Sequence, residues 1–117
     1  MIILFIINDA AYGSEKAYNA LRMAITLQKE HPDVVIRIFL MGDAVTCALP
    51  DQTTLQGYYN IERMLKSVIN KGGQVKACGT CSEARGIKGL ALIEGVEIST
   101  MSQLTQWAME ADKVLTF

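Results

Sequence analysis

The sequence predicts an α/β fold, a mostly parallel five-stranded sheet with helices packed on both faces. Three observations carry that reading. Strand-length apolar runs alternate with helical stretches that bring their own caps and stops. Connections between successive strands are ten residues or longer, which suits crossovers and not hairpins. The first run, Ile2 to Asn8, is apolar without alternation, as in a parallel strand covered on both sides.

Taken in order, the turn Asp9 to Gly13 follows that strand, and Ser14 is placed to cap a helix with Glu15 in its first turn. Ala17, Leu21, Ala24 and Ile25 keep helical spacing until His31 and Pro32 stop it. Val34 to Met41 is the second strand, ended by Gly42 and Asp43; Ala44 to Leu49 suits a short helix before Pro50 and a polar loop, Asp51 to Tyr59. Asn60 caps a helix whose stripe is Ile61, Met64, Leu65, Val68 and Ile69, with Gly72 and Gly73 as its stop. Gln74 to Cys78 is a short strand. Thr80-x-x-Glu83 reads as a capping box opening a helix that ends near Gly86. Ile87 to Gly95 suits either a loop or a helical turn. Val96 to Ile98 is the fourth strand, and Thr100-x-x-Gln103 is a second capping box before Leu104, Trp107, Ala108 and Ala111. Val114 to Phe117 closes the sheet.

No internal repeat, linker or low-complexity tract interrupts the 117 residues, so residues 1–117 read as one domain. Half of the residues are hydrophobic and only 20% are charged, which leaves few polar side chains to cover a small monomer and predicts self-association. A net charge of −1 offers no basic field for nucleic acid or an anionic membrane. The longest apolar stretch, Met1 to Ile7, is far below the roughly 18 residues of a membrane span. It lacks the basic start and small-residue cleavage site of a secretory signal, so a cytoplasmic protein is expected.

Ligands of such sheets sit beyond the carboxyl ends of the strands. Those ends are Asn8 to Gly13, Gly42 to Asp43, Cys78 to Cys81 and Ser99 to Thr100. Cys78-Gly79-Thr80-Cys81 is the strongest chemical motif, because a thiol at a helix N-terminus ionises more readily and a thiolate is the nucleophile of sulfur chemistry. Cys78 is the expected reactive thiol. Cys81, inside the first helical turn, is expected to be less reachable but close enough to resolve Cys78 as a disulfide. The alternative is that both fill a strand-to-helix corner as small hydrophobes. The first loop brings backbone N–H groups, Gly13, Ser14 and the Tyr12 hydroxyl as candidate binding groups; Asp43, Thr80 and Arg85 join them, Arg85 as a partner for a thiolate or an acidic ligand. Each also has a plain role, as turn residue, cap or solvated helix end. His31 falls on the opposite edge and Cys47 in a separate loop, so no zinc ligand set forms and no metal or cofactor is expected. Neither a Walker loop nor a dinucleotide glycine fingerprint is present. Trp107 and Tyr58 read as core or interface aromatics.

Several segments together resemble the DsrE/DsrF-like family, especially its YchN-like branch. They are Ala11-Tyr12-Gly13-Ser14-Glu15, Phe39 to Val45, Tyr59-Asn60-Ile61, Val75 to Cys81, Arg85-Gly86-Ile87, Gly95 to Ile98, and the ending Ala111 to Phe117. The resemblance implies a flavodoxin-like three-layer α/β/α domain that assembles as a homotrimer or homohexamer. It also implies a sulfur relay in which one cysteine after the third strand, here Cys78, carries sulfur as a persulfide between donor and acceptor proteins. Cys81 is similar to a feature of the YchN-like branch and departs from single-cysteine relay members. A dithiol redox protein using Cys78 and Cys81, and a non-enzymatic oligomeric binder of an anionic small molecule or protein, are the alternative readings.

Overall fold

The computed structural model describes residues 1–117. The elements are β1 (Ile2–Ile7), α1 (Lys16–Glu30), β2 (Val35–Leu40), a 3₁₀ helix (Gly42–Ala48), α2 (Ile61–Asn70), β3 (Gln74–Cys78), α3 (Gly79–Ala84), β4 (Val96–Ser99), α4 (Met101–Glu110) and β5 (Lys113–Thr116). Two of the expected caps are in place: Asn60 accepts the Arg63 N–H at 3.0 Å, and Thr100 accepts the Gln103 N–H at 3.2 Å. Glu15, not Ser14, holds the cap position of α1 and makes no side-chain cap bond. The Ser14 hydroxyl, one residue earlier, still accepts the Lys16 N–H at 3.2 Å while donating to Asp9 at 2.7 Å. The helix expected from Ala44 begins at Gly42 instead and is 3₁₀, since Gly42 takes the left-handed φ of 55° that turns the chain out of β2. Ile87 to Gly95 is irregular, pinned where Ile93 donates its N–H to the Ala48 carbonyl at 2.9 Å. On α4, Leu104 and Trp107 are buried as expected, but Ala108 is exposed and Ala111 lies past the helix end.

All five strands are parallel, in the order β4-β3-β2-β1-β5. The register assigns side chains to faces. Ile3, Phe5 and Ile7 share one face with Ile36, Ile38 and Leu40, and with Val75 and Ala77. All eight are buried, beneath α1 and α2, which pack on each other. The other face carries Leu4, Arg37, Phe39, Lys76 and Cys78. There α4 lays Trp107 edge-on to Phe39 at 6.2 Å, with Arg37 and Lys76 5.3 and 4.8 Å from the indole centroid. Arg37, bonded to Glu110 at 2.6 Å, ties α4 to the sheet. Three layers result, with one continuous apolar core of 27 buried residues. Each fully buried Leu, Ile or Phe in it contributes about 1.5–3 kcal/mol. The face of each strand residue decides what its last residue meets, and Cys78 ends β3 on the side of α4.

Candidate functional site

Strand and helix abut without a linking residue at Cys78. Its φ of −58° and ψ of 123° still belong to the strand side, and Gly79 already opens α3. Such a sharp entry requires close approach: a Cβ on Gly79 would stand 3.0 Å from the Ser99 carbonyl oxygen and 3.3 Å from Ile98 Cγ2. The N-cap position therefore falls to Cys78, and its sulfur accepts the Cys81 N–H at 3.2 Å. The capping box expected at Thr80 does not form. Thr80 instead sets its hydroxyl 3.3 Å from Cys78 Sγ. Sequence reading missed Ser82, which is fully buried and donates to the Cys78 carbonyl at 2.7 Å, fixing the backbone from which the thiol projects. A buried serine four residues after a strand-ending cysteine is the pattern that could have revealed it.

N-cap positions favour oxygen acceptors because the unpaired N–H groups there need a partner. A sulfur in that role is held best when ionised, since a charged acceptor makes the stronger bond. Burial acts to raise the Cys78 pKa, but hydrogen bonds from the Cys81 thiol, the Thr80 hydroxyl and the backbone N–H groups of both outweigh it, leaving the thiol below its ordinary range. Cys81 moves the other way: burial and its hydrogen bond with Cys78 raise it, against the Gly42 backbone and the Arg85 charge. Cys47 is buried and is pushed up to about 12 by burial, so it stays a neutral thiol filling the core. The expected order of access is reversed, because Cys78 is 6% exposed and Cys81 is only half-buried. Ionisation, not reach, distinguishes the two.

The residues expected to surround Cys78 do not converge on it, Thr80 excepted. A cleft of about 250 Å³ receives Cys78, and its walls are Thr80, Glu83, Lys88 and the segment Ile98 to Met101. Arg85 lies on the far side of α3, where it donates to Asp43 at 2.8 Å and to the Cys81 carbonyl at 3.0 Å, joining α3 to the start of the 3₁₀ helix. The Tyr12 hydroxyl accepts the Ile61 N–H at 3.1 Å, and its ring belongs to a stack with Tyr58 and Tyr59. Ser14 receives the Tyr59 hydroxyl on its carbonyl, and Gly13 is exposed within the same loop. Tyr12, Gly13 and Ser14 lie in the first loop, apart from the Cys78 cleft, and Tyr12 lines a separate cleft of about 280 Å³ with Thr53, Thr54, Leu55 and Tyr58. The physical cause is strand order: β1 lies two strands from β3, about 10 Å away at the usual spacing, whereas β4 is its direct neighbour. Trp107 is in the core, and Tyr58 is half-exposed at 51%. No group of three or more His, Cys, Asp or Glu side chains is gathered anywhere.

Fold and site define a small parallel α/β domain that presents a hydrogen-bonded thiol at the carboxyl edge of its third strand. The chain belongs to the DsrE/DsrF-like family, whose pattern it matches over residues 1–117. It is 48% identical to the YchN protein of Escherichia coli K12 over 115 residues, 98% of this chain and 97% of that protein. An uncharacterized protein of Methanopyrus kandleri is 41% identical over 99% of the chain and 93% of its own length. The crystal structure of the E. coli YchN protein superposes with a TM-score of 0.95 over 100% of this chain and 99% of that one, at 47% identity. A protein of unknown function from Methanobacterium thermoautotrophicum shares the fold alone, with a TM-score of 0.79 at 17% identity, covering 99% of this chain and 98% of its own.

Proposed function

We propose that the protein is a sulfur carrier that accepts sulfane sulfur as a persulfide on Cys78 and passes it to a partner thiol. The observation that carries this reading is the N-cap bond from the Cys81 N–H to Cys78 Sγ at 3.2 Å, reinforced by the Thr80 hydroxyl. The Cys78 thiolate attacks the outer sulfur of a donor persulfide. The donor S–S bond breaks, the donor leaves as a thiolate with the bonding pair, and Cys78 becomes a persulfide. An acceptor thiolate then takes the outer sulfur and returns Cys78 to a thiolate, so no net electrons are needed. The reading places the protein in the cytoplasm, where thiols stay reduced, in keeping with three free cysteines and no helix long and apolar enough to cross a membrane.

Intact-protein mass analysis after exposure to a persulfide donor tests it. Wild type should gain the mass of one sulfur atom, Cys78→Ser should gain none, and Cys81→Ser should retain or prolong the gain by losing the thiol that expels hydrosulfide. Full loading of Cys78→Ser would sink the reading. The bond from the Cys81 N–H to Cys78 Sγ at 3.2 Å, which holds the second cysteine beside the first sulfur, favours one second reading, dithiol redox work, in which Cys78 and Cys81 close a disulfide and reduce a partner disulfide to two thiols. Its mark is rapid loss of the mass of two hydrogen atoms, which pass to an oxidised dithiol as two protons and two electrons, with no stable persulfide.

A further inference from the structure

The cleft that receives Cys78 contains one cationic side chain, and we propose that Lys88 selects small persulfide donors whose carbon end carries a carboxylate. Donor identity here rests on the persulfide reading above; recognition of the anion does not. Lys88 Nζ is 2.8 Å from Glu83 Oε1, and the two side chains are 50% and 57% exposed. An ion pair so wetted contributes little stability, so Glu83 yields Lys88 readily to a ligand carboxylate. The cleft lining also includes Thr100 and the start of α4, whose first turn contains no acidic residue. Ile98 and Met101 supply the apolar part of that lining. The other cation expected at this edge, Arg85, is held by Asp43 and the Cys81 carbonyl.

Size narrows the ligand. About 250 Å³ is below the roughly 300–1,000 Å³ of sites that enclose drug-sized molecules, so the cleft takes a small donor and not an extended cofactor. Charge sets the requirement, because an anionic donor approaching a thiolate is repelled unless a cation stands beside its path. In the transfer, the Cys78 thiolate takes the outer sulfur, the donor S–S bond breaks, and the thiolate that leaves keeps its carboxylate on Lys88 until it departs. Lys88 is then a specificity-determining residue, read by donor charge.

Iodoacetate and iodoacetamide alkylate a thiolate by the same displacement and differ in one negative charge. The measurement is the ratio of their rates at Cys78, resolved by peptide mapping, in wild type, Lys88→Ala, Lys88→Glu and Glu83→Gln. Removing one exposed cation should lower the iodoacetate-to-iodoacetamide ratio about three- to fivefold. Lys88→Glu should lower it further, and Glu83→Gln should raise it. Raised salt should shrink the difference between wild type and Lys88→Ala. A ratio that Lys88→Ala and Lys88→Glu leave unchanged, or equal slowing of both reagents, overturns the proposal. A Lys88-dependent ratio in a protein that takes up no sulfur overturns the persulfide reading and leaves anion selection standing.

Discussion

At the residue scale, three cysteines of one chain are placed in three electrostatic situations by their neighbours. Thiolate fraction rises with pH, so a lowered pKa moves the onset of alkylation to lower pH and a raised one moves it up. Cys78 should therefore begin to react with iodoacetamide below the pH of a free thiol, Cys81 above it, and Cys47 only after denaturation. Peptide-resolved alkylation across pH 5 to 10 measures this, and Cys81 outrunning Cys78 at neutral pH would contradict it. Thr80→Ala removes one hydrogen bond to the sulfur and should raise the Cys78 midpoint. An unmoved midpoint would mean that the hydroxyl does not bond the ionised form. The place of Cys78 at a strand-to-helix junction was legible in the sequence. Its cap role was not, because the motif Thr80-x-x-Glu83 offers a conventional oxygen cap and nothing in the pattern says that the strand ends so late.

At the element scale, local signals succeeded where an element meets solvent and failed where it meets another element. Asn60 and Thr100 cap as their spacing predicts, because each has extended backbone before its helix. Ser14 sits one residue before the cap position, shared between Asp9 and the Lys16 N–H, and Thr80 is displaced into the first turn of α3 because Gly79 lets that helix start one residue after the strand. Gly79→Ala tests the importance of this approach. The added Cβ would meet a β4 carbonyl at 3.0 Å, so α3 and β4 must part. The variant should lose about 1–3 kcal/mol in denaturant unfolding, the usual cost of overpacking, and Cys78 alkylation should change as the cap bond lengthens. Gly89→Ala is the control: its added Cβ meets nothing within 4 Å, and its stability should stay within about 0.5 kcal/mol of wild type. Equal stability of the two variants would remove the argument for a tight junction.

At the scale of the whole molecule, strand order was the information the sequence withheld, and it decides the site. Five strands and their crossovers are legible from apolar runs, but the spatial order β4-β3-β2-β1-β5 depends on which edges pair. Placing β4 beside β3 brings Lys88 and the β4-to-α4 turn to Cys78, and leaves Tyr12, Gly13 and Ser14 elsewhere on the same sheet edge; Asp43, which follows the adjacent β2, is taken by Arg85.

The same arrangement bears on assembly. One helix of ten residues, α4, covers a face of five strands, and Val35 and Val114 on that face are 41% and 45% exposed. At the cleft, Met101 and Ile98 are 59% and 36% exposed, and both outer strands leave an edge unpaired. Exposed apolar surface beside open edges marks interfaces in a domain this small. Light scattering at micromolar concentration should therefore report at least three subunits, each of 12.9 kDa. If the cleft rim belongs to an interface, Met101→Glu should lower the assembled mass and change the Cys78 alkylation rate together, since one surface would serve both. A 12.9 kDa particle in wild type would remove the assembly, and dissociation by Met101→Glu with an unchanged Cys78 rate would separate the interface from the cleft.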